Sequence, residues 1–81
     1  MLKIDGHDDA IVGQACVWVY VDGGLGREDV LVYSGEKILA KLMERDDMEY
    51  EDGLDYISFN IEGAYLGPES PIVMWEPEDE D

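Results

Sequence analysis

The sequence predicts a small α+β domain: an N-terminal β-hairpin, two helices and a C-terminal third strand, with the helices covering one face of an antiparallel sheet. Three observations carry this expectation. Val17-Trp18-Val19-Tyr20-Val21 is β-branched or aromatic throughout, and turn chemistry separates it from a second apolar run, Val30-Leu31-Val32-Tyr33. Apolar spacing then changes to the helical period across two successive segments. A last short apolar run, Ile72-Val73-Met74-Trp75, begins after Pro71, where a proline removes no ladder donor.

In chain order, the first ten residues carry Asp5, His7, Asp8 and Asp9 and are expected to form a polar, solvated lead-in. The stretch Asp22-Gly23-Gly24-Leu25-Gly26-Arg27 reads as the hairpin turn, since glycine reaches positive φ without steric cost. Ser34 is placed to cap a helix in which Ile38, Leu39, Leu42 and Met43 share one face. Glu36 suits the positive end of that helix, and Lys37, Lys41 and Arg45 line another side. Asp46-Asp47 breaks it. A second helix is expected from about Glu49 to Asn60, with Tyr50, Leu54, Ile57 and Ile61 as its apolar stripe. Gly53 costs this helix about 1 kcal/mol relative to alanine, so it depends on packing. Gly63 to Pro71 reads as loop. Phe59 and Tyr65 are expected to cover the core, with Asn60 capping the helix end. Residues 1–75 form the one predicted domain and 76–81 an acidic tail.

Composition narrows the function. The 81 residues hold 21 Asp and Glu against 5 Lys and Arg, a net charge of −16. Direct nucleic-acid binding needs a basic surface, and anionic membranes repel such a chain, so neither is an expected partner. Hydrophobic residues make up 46% of the chain, too many for a disordered polyanion. No apolar run reaches the roughly 20 residues needed to cross a bilayer, and the first residues carry no signal-peptide pattern, so a cytoplasmic location is expected. Cys16 is the only cysteine and, amid Ala15 and Val17, reads as a small buried hydrophobe.

Motifs for chemistry fail in turn. Gly23-Gly24-Leu25-Gly26 precedes a strand, whereas a phosphate loop opens a helix. His7 with Asp5, Asp8 and Asp9 lacks residues from a second side to close a metal site. Ser34, Ser58 and Ser70 lie outside any nucleophile elbow. An EF-hand alignment on Gly53 puts Met48 and Tyr50 at ligand positions and Phe59 at the closing glutamate. No catalytic residue, cofactor or metal ligand is therefore assigned, and a non-enzymatic role is expected.

Charge density is what survives. Glu44, Asp46, Asp47, Glu49, Glu51, Asp52 and Asp55 fall within twelve residues, with Arg45 the lone base among them. Duplex DNA carries one negative charge per about 1.7 Å of axis, and a helix edge so loaded approaches that density. Such a surface attracts and steers proteins built to bind DNA. The competing reading is a solvated face that keeps a small protein soluble.

Two stretches carry a resemblance: Tyr33-Ser34-Gly35-Glu36-Lys37-Ile38-Leu39-Ala40-Lys41-Leu42-Met43-Glu44-Arg45-Asp46, and Tyr56-Ile57-Ser58-Phe59-Asn60-Ile61-Glu62-Gly63-Ala64-Tyr65-Leu66-Gly67 with Pro71 after it. Together with Asp8 to Gly13, they resemble small hypothetical proteins of bacteriophages and prophages. The likeness covers about two thirds of the chain and departs at Asp47, Gly53 and Ser70, where the pattern has glycine, alanine and threonine. It implies a phage setting. Small acidic proteins in that setting often act by occupying host DNA-binding surfaces, restriction and CRISPR effectors among them. The expected function is accordingly an inhibitor that presents the seven acidic residues to a basic surface of a host nucleic-acid-binding or defence protein. The alternative is an interaction module that binds through an apolar sheet face or edge strand.

Overall fold

A 3-10 turn, Asp8–Ala10, leads into two long strands, β1 (Ile11–Val21) and β2 (Gly24–Ser34), followed by helices α1 (Gly35–Arg45) and α2 (Tyr50–Ile57), a π-helical turn (Ser58–Glu62) and the short strand β3 (Ile72–Met74). This is a computed structural model, and it describes residues 1–63 and 67–77. Tyr65, expected over the core, and the acidic residues from 78 onward lie outside the described residues.

The α+β class and the element order follow the sequence reading, and the sheet runs β1-β2-β3. One pairing differs. β1 and β2 are antiparallel, but β3 runs parallel to β2, matching Val32 with Ile72 and Ser34 with Met74. The chain leaves β2 at Ser34, crosses through both helices and returns in the same direction, the connection a parallel pair requires.

The hairpin is longer than its sequence suggests. Only Asp22 and Gly23 turn, and Leu25, Gly26 and Arg27 already pair with Tyr20, Val19 and Trp18. Gly23 at φ +95 and Gly24 at φ +135 reverse the chain this tightly, which releases the rest of the glycine-rich stretch into the ladder.

Ser34 caps α1 as its position predicts, its hydroxyl accepting from the Lys37 N–H at 3.2 Å. Ile38, Leu39 and Leu42 are buried and meet Tyr33, Ala10 and Ile57 in the core, with Leu54, Ile61, Val73 and Trp75 packed around them. Met43 and Tyr50, read as members of the apolar stripes, are exposed. α2 ends at Ile57, and Asn60 closes it by donating from Nδ2 to the Tyr56 carbonyl at 3.2 Å. The wider turn that follows points Phe59 outward, 78% exposed, so Phe59 does not cover the core.

The lead-in is docked, not free. Ile4 N–H donates to the Tyr33 hydroxyl at 2.8 Å, and Ile4 packs on the core. His7 is buried at 7% exposure, although Asp5, Asp8 and Asp9 around it stay in solvent. Lys41 ties this segment to α1 by donating to the Gly6 carbonyl at 2.7 Å and pairing with Asp9.

Candidate protein-binding surfaces

All seven carboxylates of the acidic segment are exposed. Six of them span the junction of the two helices. Asp46 is the C-cap of α1, and Asp47 follows in the left-handed region at φ +55. Glu49 is the N-cap of α2 and makes no side-chain cap bond there, leaving its carboxylate in solvent. Glu51 and Asp52 occupy the first turn of α2, where the helix dipole favours anions. Asp55 lies one turn further, on the side of Glu51 and Asp52. Arg45, the one base in the run, donates from Nε to Asp46 at 3.4 Å, an exposed pair worth about 0–1 kcal/mol.

Glu44 stands apart from these six. It lines a shallow cleft on α1 with Lys37, Lys41, Arg45 and Asp9, so cations surround it. The Lys41 ammonium, hydrogen-bonded to Asp9, holds that carboxyl below its usual range. Beneath the same cations, His7 has its pKa lowered, first by burial and then by Lys41 and Arg45. Its Nδ1 is buried without a hydrogen-bond partner among the described residues. Those residues also contain no cluster of three or more His, Cys, Asp or Glu side chains arranged to hold a metal ion. None of the described helices is long and apolar enough to cross a membrane.

A second surface lies on the hairpin. Eleven strand residues at about 3.3 Å each span roughly 36 Å, whereas an 11-residue helix at 1.5 Å covers only about 16 Å. The helix layer therefore reaches one end of the hairpin, and the other extends past it as an arm. On one face of that arm Tyr20 pairs with Leu25 and Trp18 with Arg27. Trp18 is 69% exposed, Tyr20 87% and Leu25 60%. The Arg27 guanidinium sits 5.4 Å from the Trp18 ring centroid, within cation–π range. Cys16, expected to be buried, shares this face and is exposed. It was misread because its neighbours are apolar, but Ala15 and Val17 point to the other face of a two-faced strand.

No family model, curated protein or solved structure matches this chain.

Proposed function

We propose that this is a phage-encoded, non-catalytic inhibitor that binds the basic surface of a host nucleic-acid-binding or defence protein and works in the host cytoplasm. What supports the reading is the presentation of Asp46, Asp47, Glu49, Glu51, Asp52 and Asp55 in solvent along one helix junction, with Arg45 the one base within that run of sequence. Binding of this kind is steered by long-range attraction and weakens as salt screens it. Host lysate is passed over immobilised protein at low salt, eluted with a salt gradient, and the partner is then challenged with duplex DNA. A nucleic-acid enzyme that elutes with salt, competes with DNA and is lost by the Asp46→Asn, Asp47→Asn, Glu51→Gln, Asp52→Asn, Asp55→Asn variant supports the inhibitor. Retention of the partner by that variant overturns it.

The exposure of Trp18, Tyr20 and Leu25 favours a second reading, in which the aromatic face of the arm is the docking surface and the charge serves solubility. Under it, a Trp18→Ala, Tyr20→Ala variant loses the partner and the charge-neutralised one keeps it.

A further inference from the structure

We propose that the protein self-associates through β1, two copies pairing edge to edge and antiparallel about a two-fold axis at Cys16 to form one continuous six-stranded sheet. Among the described residues β1 is an outer strand, with β3 on the opposite edge of the sheet. An outer strand presents a row of main-chain donors and acceptors, and natural edges are guarded by lysine, proline, inward charges or short length. β1 has none of these guards: it runs for 11 residues, Ile11–Val21, with no charged side chain and no proline. Its single irregularity lies at the Ile11/Gly13 end.

The sequence of the strand selects a second copy as the occupant. In a chain of net charge −16, copies repel one another over most of their surface, and β1 is an uncharged stretch along which they can meet. The residues before Cys16 are Gly13, Gln14 and Ala15, and those after it are Val17, Trp18 and Val19. A two-fold through Cys16 sets Ala15 against Val17, Gln14 against Trp18 and Gly13 against Val19, a smaller residue facing a larger one at each step, with no like charges opposed. The same axis brings the exposed Trp18 side chains of both copies onto one sheet face, flanking the Cys16 pair.

Self-association through an uncharged edge between two polyanions strengthens as salt rises, whereas binding to a basic partner weakens, so this inference stands or falls separately from the proposed function. The test is sedimentation equilibrium of the full chain over a range of protein concentrations at low and high salt. A monomer–dimer equilibrium that shifts toward dimer with salt is expected. Cys16→Glu, at an exposed position the monomer tolerates, opposes two carboxylates on the axis and weakens the dimer by up to about fivefold. Leu25→Lys, on the same face but on β2, leaves an edge-paired dimer intact and breaks one formed by face stacking. Circular dichroism checks that both variants are folded.

The wild-type chain reports the register itself. Antiparallel partners stand about 4.5–5.5 Å apart at Cα, inside the range of a disulfide. Diamide, which accepts the two electrons and two protons released by a thiol pair, is expected to cross-link Cys16 to Cys16 far faster than it links a Cys16→Ser, Ser58→Cys protein. A monomer under all conditions, a dimer indifferent to Cys16→Glu, a dimer lost with Leu25→Lys, or cross-linking no faster than at position 58 would each overturn the proposal.

Discussion

Gly35 lies under the indole of Trp75 so closely that a β-carbon there would stand 2.5–2.6 Å from three ring atoms. The contact joins the first residue of α1 to the residue just past β3, and Trp75 Nε1 donates to Glu62 at 3.3 Å. Gly35→Ala is expected to cost about 1–3 kcal/mol, because a rigid ring cannot yield without pulling on β3. Gly13→Ala, with no atom within 4 Å of the new carbon, is the control and should be neutral or slightly stabilising. Urea denaturation of both variants decides it. Equal midpoints would mean that the indole does not rest there.

The cap of α1 makes a second prediction. Ser34→Ala removes the acceptor of the Lys37 N–H and should lower stability by about 1 kcal/mol, while Ser34→Asp restores most of it. Thermal melts of the pair provide the measurement.

These two contacts also mark how much was readable from the residues. Ser34 was legible because a cap is a local pattern, three residues from the N–H it satisfies. Gly35 and Gly53 were not, because their neighbours come from distant elements. A β-carbon on Gly53 would meet Leu39 Cδ1 at 2.5 Å, so the glycine that weakens α2 is what brings it against α1. The parallel direction of β3 depends on the whole crossover and leaves no trace in a three-residue strand. The acidic segment could be read directly, since carboxylates stay in water wherever the chain takes them. The exposed arm could not, because Leu25-Gly26-Arg27 resembles turn chemistry and hides the length of β2.

His7 links stability to pH. Burial and the cations of Lys41 and Arg45 favour its neutral form in the folded chain, against a weaker opposite pull from Asp9 and Asp46. The unfolded chain thus takes up the proton first. The contribution is complete above the ordinary value of 6.5 and is lost as pH falls through the lower folded value. Relative to His7→Gln, the wild-type advantage in urea should shrink between about pH 7.5 and about pH 5. An advantage that stays flat or grows on acidification would contradict the buried neutral imidazole.

Asp47 holds a left-handed backbone at φ +55 that glycine adopts freely. Asp47→Gly is expected to gain up to about 1 kcal/mol. Asp47→Asn, which removes the charge and tolerates the same backbone, separates relief of strain from relief of repulsion among the neighbouring carboxylates. Chemical denaturation at low and high salt distinguishes them.

The arm should contribute little to stability. Tyr20→Ala removes an almost fully exposed side chain and is expected to shift unfolding by less than about 0.5 kcal/mol, whereas Trp18→Ala also loses the Arg27 contact and should cost about 0.5–1 kcal/mol. Tyr33→Phe, which leaves the Ile4 N–H without its acceptor, should cost about 1–2 kcal/mol.

The crossover that makes β3 parallel also orders assembly in time. The hairpin closes through a two-residue turn, so its ladder has little loop entropy to overcome and zips on the microsecond scale. β3 has no such shortcut. Its neighbour Glu76 reaches Glu36 across a separation of 40 residues, and the ladder it joins exists only after both helices have folded back. Closure of Trp75 over Gly35 is therefore expected to come late in folding, after the hairpin has formed. In a Trp18→Phe variant, Trp75 is the one remaining indole, and a slow fluorescence phase during refolding is expected to follow its closure.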